Sequence, residues 1–237
     1  WSGDWSSDVC SSDLKNYLFE RKPFVAVAVS GGPDSMALLF LVNNWIKTVK
    51  GSVIAIIVNH GLRENSKDEA KLVQKKINLK KIKTKIISIK NNKIIKKNMN
   101  EARNNRYNAV TKYCNNKNIL HLFVGHNFDD NLETFLNRKI AGSDIEGLYS
   151  IRENVVNNKI NILRPLIFYQ KKNIYNFNKK NNIFFVEDES NSNLNYTRPI
   201  IRSFLKSSPK ILQIVKKDIK KIYKTMPLYK FMINNIL

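Results

Sequence analysis

The sequence predicts an open, doubly wound α/β fold with a mainly parallel five-stranded sheet and flanking helices, followed by a small helical C-terminal segment. Three observations lead there. Five short apolar runs alternate with helix-length stretches between residues 25 and 163. The first run, Val25-Ala26-Val27-Ala28-Val29, is continuous and rich in valine, as a central parallel strand buried on both faces requires. Polar clusters fall just after several of the runs, where open parallel sheets bind their ligands.

The remaining predicted strands cover residues 53–58, Ile86-Ile87-Ser88-Ile89, His121-Leu122-Phe123-Val124 and, more weakly, residues 160–163. Between them, residues 35–49, 66–79, 98–116 and 129–140 are each long enough to cross over a sheet as a helix. Past Phe168 the texture changes, and residues 169–181 and 207–226 read as helices without comparable strands. In the latter, Leu212, Val215, Ile219, Ile222 and Met226 recur at three- and four-residue spacing and form one apolar stripe. Lys216, Lys217, Lys220, Lys221 and Lys224 fill much of the rest. They make either a solvated basic face or a surface for nucleic-acid phosphates. From Ile200 onward nine Lys or Arg face one acid, Asp218.

Composition sets the bounds. A chain of 237 residues fits one catalytic domain with a small appendage, and 43% hydrophobic content supplies a core. The longest apolar run, residues 53–58, is far too short to span a bilayer, so no membrane partner is expected and a soluble cytoplasmic protein is the default. Two cysteines, Cys10 and Cys114, exclude a disulfide framework and any CxxC pair. A net charge of +22 favours a polyanionic partner, although Lys, Asn and Ile saturate the whole chain. Residues 1–14 contain no Lys, Asn or Ile and three Asp, with repeated Trp-Ser and Ser-Ser-Asp units. They read as an adapter-derived segment outside the fold. The rest carries 41 basic against 16 acidic residues. The expected organisation is therefore residues 1–14 as a foreign segment, 15–205 as the catalytic domain and 206–237 as a basic helical extension.

The strongest local signal is Ser30-Gly31-Gly32-Pro33-Asp34-Ser35. It follows the valine-rich strand and precedes the apolar helix Met36-Ala37-Leu38-Leu39-Phe40-Leu41. Two glycines permit a sharp turn and close approach of a ligand, and the serines bring hydroxyl donors. The helix N-terminus beyond Pro33 offers free N–H groups to phosphate oxygens. No Gly-Lys-Ser/Thr follows, and the spacing is not GxGxxG, so neither a Walker loop nor a dinucleotide fingerprint is present. A plain Gly-rich turn is the alternative, and the flanking strand and helix favour phosphate binding over it.

Further motifs follow in order: Val58-Asn59-His60-Gly61-Leu62-Arg63; Ala102-Arg103-x-x-Arg106-Tyr107; Gly125-His126-x-x-Asp129-Asp130-x-x-Glu133-Thr134; Gly142-x-x-x-x-Gly147-Leu148; Arg164-Pro165-Leu166; and Glu187-Asp188-x-Ser190-Asn191 with Arg198 and Arg202 behind it. With the Ser-Gly-Gly-x-Asp-Ser loop, this ordered set resembles the tRNA(Ile)-lysidine synthase family of PP-loop ATP pyrophosphatases, over roughly residues 24–202. The resemblance implies a Rossmann-like adenine nucleotide alpha hydrolase fold. It also implies an ATP-driven ligation of free L-lysine to C2 of the wobble cytidine in the CAU-anticodon isoleucine tRNA, through an adenylated intermediate, with release of pyrophosphate and AMP. A homodimer is compatible with it.

On this reading Ser30, Gly31, Gly32, Pro33, Asp34, Ser35 and His126 bind ATP, and Asp34 and Asp130 are the expected Mg2+ ligands. Asp129 and Glu133 are four apart and Asp130 and Glu133 three apart, so these acids share a helix face. An acid there can recognise the lysine ammonium or accept its proton, with Asp130 and Glu133 both candidates. Asp129 alone is explained equally by the helix macrodipole. Asp34, Arg106, Asp130 and Glu133 are the expected catalytic residues; His60, Arg63, Arg103, Tyr107, Asp129, Arg198 and Arg202 are expected on the tRNA and lysine side. Residues 187–202 are expected to form a loop folded over the site. The chain departs from the family where Asn127 replaces a second His, Asn131 replaces Gln, and Pro199 replaces Asn. Rival readings are a tRNA 2-thiolation enzyme, which commonly needs paired cysteines, a small-molecule amidating synthetase, and a non-catalytic tRNA-binding relative.

Overall fold

The structure is a computed structural model and describes residues 14, 17–59, 66–89, 99–187 and 197–236. It divides into two compact units. The first comprises the described residues through His126 together with Glu153–Glu187. The second comprises Asn127–Arg152 together with the described residues from 197 onward.

The first unit is a six-stranded sheet in the order β3-β2-β1-β4-β6-β5. Its strands are β1 (Phe24–Val29), β2 (Ser52–Asn59), β3 (Lys83–Ser88), β4 (His121–Val124), β5 (Asn154–Asn157) and β6 (Ile160–Leu163). The helices of this unit are α1 (Pro33–Thr48), α2 (Ser66–Asn78), α3 (Met99–Asn116) and, numbered in chain order, α6 (Lys171–Lys180). All pairings are parallel except β5 with β6. The alternation along β1 explains its composition. Val25, Val27 and Val29 face α1, α2 and α6, packing with Leu38, Val42, Val73 and Phe177. Ala26 and Ala28 face α3, among Val110, Cys114, Leu122 and Ile162. Both faces of the strand are covered, so neither can be polar.

Five of the six strands correspond to predicted runs. The additional β5 escapes hydropathy reading because it is four residues long, bounded by asparagines, and half exposed at the sheet edge. It forms a hairpin with β6 across Asn158 and Lys159, both at positive φ (48° and 68°), which is the twist-matched two-residue turn. Strand β3 begins three residues earlier than its apolar run suggests, because Lys83, Thr84 and Lys85 pair with β2 at an edge where lysines are tolerated.

From β1 the chain winds outward in one direction through β2 and β3, whereas β4 lies on the other side of β1. The carboxyl ends of β1 and β4 therefore flank a topological switch point, the usual ligand crevice of such sheets. Ala28 pairs with Val124, so the residues after β1 and after β4 emerge side by side.

The second unit is helical: α4 (Phe128–Ile140), α5 (Ile145–Leu148), α7 (Thr197–Ser207) and α8 (Pro209–Ile236). Phe128, Leu132, Phe135 and Leu136 of α4 pack with Ile201 and Leu205 of α7 and Val215 and Ile219 of α8. The predicted stripe of α8 is its inner face, with Val215, Ile219 and Met226 buried and Leu212 and Ile222 half-buried. This helix continues through Pro227 to Ile236. Thr197–Ser207, expected within a loop, is instead helix, because Ile201 and Leu205 at four-residue spacing bury one face.

Phe123 is fully buried at the centre of the first unit, with Trp45 edge-on at 6.1 Å between ring centroids. Phe123→Ala is expected to lower the urea unfolding free energy by about 3–5 kcal/mol, measured by circular dichroism.

Candidate active site

The β1–α1 junction is built by its own hydroxyls. Ser35 Oγ accepts from Ser30 N–H at 3.2 Å and donates to the Gly32 carbonyl at 3.0 Å, while the two serine hydroxyls lie 3.2 Å apart. Gly32 is the N-cap of α1 without a side-chain cap bond, and Pro33 occupies the first helical turn, where its missing N–H costs nothing. Gly32 N–H donates to Ser30 Oγ at 3.4 Å, and the first turn of α1 is the kind of helix start at which phosphate oxygens are commonly held. Asp34 lies in the first turn, half-buried.

Two glycines set how tightly the junction closes. Gly31 has φ +89°, and a Cβ there would lie 2.7 Å from Val73 Cγ2. Gly125, after β4, has ordinary φ, but a Cβ on it would approach the Asp34 carbonyl carbon and Ser35 nitrogen at 3.1 Å. The loop is also held from residues that no motif signals. Val186 N–H donates to the Gly31 carbonyl at 2.9 Å, and Asn178 Nδ2, on fully buried Asn178, donates to the Pro33 carbonyl at 2.9 Å.

Directly after Gly125, His126 gathers two guanidinium groups. Arg164 Nε donates to His126 Nδ1 at 3.2 Å, and Arg103 Nη2 lies 3.1 Å from His126 Nε2. Arg103 also sits over the Tyr107 ring at 5.6 Å. Arg106, one turn from Arg103, is exposed. The first unit thus brings Ser30–Ser35 and His126 to neighbouring strand ends and joins Arg103 and Tyr107 to His126. Arg164 joins them although sequence reasoning gave it no role. Its signal was present, as a lone cation at the carboxyl end of β6.

In the second unit the acids of α4 have distinct environments. Asn127 Oδ1 accepts from Asp130 N–H at 2.9 Å, and Asp130 Oδ2 accepts from Asn127 N–H at 3.1 Å, a complete capping box. Asp129 and Asp130 both lie in the first turn, where the macrodipole favours acids; Asp130 also closes the capping box, and Asn127, where the family has a second His, is the cap. Glu133 is buried, and its Oε1 accepts from Arg202 Nε at 2.7 Å. Burial alone would lower the Arg202 pKa, but the hydrogen bond and charge of Glu133, with the charges of Asp130 and Asp129, outweigh it and hold the pKa raised. Asn131, fully buried, donates to Tyr223 Oη at 3.0 Å and accepts from Ile151 N–H at 3.2 Å, so its smaller amide is fully used in packing α4 against α8. Arg202 projects from helix α7 rather than from a loop. Arg198 lies on the same helix, with its side chain outside the described residues, as are His60 and Arg63 entirely.

Among the described residues no group of three or more His, Cys, Asp or Glu side chains could hold a metal ion by itself, and no helix is long and apolar enough to cross a membrane. Arg202→Met would leave buried Glu133 without its cation. The expected cost is about 2–4 kcal/mol in unfolding free energy, largely recovered in the Arg202→Met/Glu133→Gln pair. Because the guanidinium pKa is raised on folding, its contribution is fully present below the ordinary arginine value and lost only as pH rises through the higher folded-state value. The double-mutant coupling should therefore be equal at about pH 7 and about pH 10.

The chain is 41% identical over 186 residues to a tRNA(Ile)-lysidine synthase of Wolbachia pipientis wMel, covering 78% of this chain and 43% of that protein. It is 36% identical over 189 residues to the enzyme of the same name from Orientia tsutsugamushi, covering 80% and 43%. With that of Rickettsia conorii it shares 38% over 181 residues, covering 76% and 38%. The chain thus spans less than half the length of these curated relatives. Among solved structures, the U34-tRNA thiolase NcsA from Methanococcus maripaludis, with its [4Fe-4S] cluster, has the same fold. Its TM-score is 0.78 at 20% identity, covering 93% of this chain and 77% of that one. Residues 9–208 match the model of the PP-loop domain, and the chain belongs to that family.

Proposed function

We propose that this chain is the ATP-dependent part of a tRNA(Ile)-lysidine synthase, joining lysine to C2 of the wobble cytidine of the CAU-anticodon isoleucine tRNA. The observation that carries this reading is 36–41% identity to proteins of that name over about four-fifths of the chain. The loop geometry supports the first half of the chemistry. Attack of the cytidine C2 oxygen on the α-phosphate builds charge on the departing pyrophosphate. The N–H groups in the first turn of α1 and the Ser30 hydroxyl are donors suited to that charge. The contacts of Arg103 with His126 and Tyr107 favour the nucleotide over tRNA for that pair; Arg106 keeps the catalytic role expected of it, and His60, Arg63 and Arg198 the tRNA role.

In the second half, the lysine ε-amine must arrive neutral, and AMP must leave C2. Glu133, Asp129 and Asp130, sharing Arg202, form an anionic group suited to an ammonium. Asp130 also caps α4, so its replacement affects stability as well as chemistry, whereas Glu133 serves the reaction with no capping role. Magnesium prefers oxygen ligands and is commonly held by one or two carboxylates plus substrate phosphates. Asp34 and Asp130 are the carboxylates proposed to contact it. The metal would supply charge neutralisation at the phosphates.

The thiolation reading is disfavoured by cysteine chemistry. Sulfur transfer and cluster ligation use thiolates, and burial pushes the Cys114 thiol up to about 12. Cys114 is fully enclosed between α3 and the sheet, with only Cys10 elsewhere.

With purified protein, ATP, lysine and the CAU-anticodon isoleucine tRNA, lysine-dependent AMP release and lysine incorporation are expected; neither product would end the ligase reading. Asp34→Ala should reduce pyrophosphate release at least about 100-fold. Cys114 should resist iodoacetamide in the native chain at about pH 8 and react in urea, as site-resolved mass spectrometry can measure. Its raised pKa stabilises the fold fully below the ordinary value of 9.0, and that contribution is lost as pH rises toward about 12.

A further inference from the structure

The apolar stripe of α8 fixes where its lysines point. Val215 and Ile219 pack with α4 and α7, and Met226 is buried further along the same stripe. At 3.6 residues per turn, Lys217, Lys220, Lys221 and Lys224 fall within about 100° of arc on the opposite side. All four are exposed. The one acid of this helix, Asp218, is taken by Lys139 of α4, whose Nζ lies 2.6 Å from its carboxylate. Among the described residues none of the four lysines is in an ion pair. The lysine content of the chain does not by itself produce such a strip. On α2, which is also rich in lysine, Asp68 and Glu69 are interspersed and Lys71 lies 4.0 Å from Asp68. Lys217 and Lys221 are four apart, as are Lys220 and Lys224, so like charges repel along α8 and oppose the helix. A bound polyanion removes that repulsion.

We propose that this strip is an electrostatic docking surface for the phosphate backbone of an RNA stem, engaged without regard to base sequence. Ammonium groups gain affinity for phosphates by releasing counterions, and such contacts position an RNA without reading it. The strip is poorly suited to the other partners that a basic helix takes. A membrane-surface helix buries an apolar face in the lipid, whereas the stripe behind these lysines is already buried within its own unit. The exposed apolar residues of α8 fall before Lys217 or after Lys224. A protein interface is anchored by aromatic or Arg side chains, and none is exposed between Lys217 and Lys224. Tyr223 there is half-buried and donates its hydroxyl to the Ile151 carbonyl. That the RNA is the tRNA substrate rests on the function proposed above; the preference of the strip for a phosphate backbone does not.

Fluorescence anisotropy of a labelled RNA hairpin, the anticodon stem-loop of the CAU-anticodon isoleucine tRNA, tests this with the full chain between about 50 mM and about 200 mM salt. Replacing the four lysines together (Lys217→Gln, Lys220→Gln, Lys221→Gln, Lys224→Gln) should weaken binding at least about tenfold at about 100 mM salt. It should also flatten the slope of log affinity against log salt by about 3, since each contact contributes roughly 0.7–0.9. A hairpin of scrambled sequence should lose as much. A charge-matched control on and after α2 (Lys67→Gln, Lys75→Gln, Lys80→Gln, Lys81→Gln) should change affinity less than about threefold, because salt screens distant charges. Glutamine is a good helix former and removes the repulsion, so the α8 variant should unfold at no lower temperature than the native chain. An equal loss in the control, a loss confined to the unscrambled hairpin, or an unchanged slope in the α8 variant overturns the proposal. So does a native chain that binds neither hairpin, or that binds phosphatidylserine vesicles but no RNA. The assay holds neither ATP nor lysine, so failed lysine incorporation sinks the ligase reading without touching this one, and an unchanged slope does the reverse.

Discussion

The first unit turns on the close approach of backbone to backbone at the ends of β1 and β4. Gly31 turns at positive φ against Val73, and Gly125 lies flat against the peptide linking Asp34 to Ser35. A methyl group at either place would push the loop from its neighbours. The serine hydroxyls then complete the turn internally. Packing thus shapes this junction before any charged side chain is involved. The doubly wound order of strands is what brings the two junctions together.

Within each unit, polar side chains fall into those spent on shaping it and those left for chemistry. Asn178 and Asn131 are both fully buried and spend their amides on carbonyls, N–H groups or a tyrosine hydroxyl of their own units. Asp130 is divided, since it completes a capping box and also contributes to the field on Arg202. Glu133 is the acid whose burial is balanced chiefly by one cation. A buried carboxylate without that cation would be strongly disfavoured, so the pair is kept together for electrostatic reasons whatever its further use.

Legibility in the sequence followed the range of the forces involved. The fold was readable because apolar runs and helix-length spacers are local signals, and the phosphate loop because strand, glycines and helix are contiguous. β5 was not, since an edge hairpin needs few apolar residues. α7 was missed because its helix face becomes meaningful only against α4 and α8. Among site residues, the Arg103 contact with Tyr107 follows from i,i+4 spacing, whereas Arg164 meets His126 across 38 positions and Asn178 meets Pro33 across 145. No periodicity encodes such pairings. Asp130 shows a different limit: the acid cluster was visible, but which acid caps the helix depended on whether residue 127 could accept a main-chain bond.

The bond from Val186 to the Gly31 carbonyl joins the turn to a chain segment over 150 residues away. A carbonyl in a phosphate-binding turn changes direction when the peptide beside it rotates, so its donor registers every such rotation. The Val186 amide is consequently a built-in gauge of the turn. Its solvent-exchange lifetime reads the fraction of time for which the loop holds this turn.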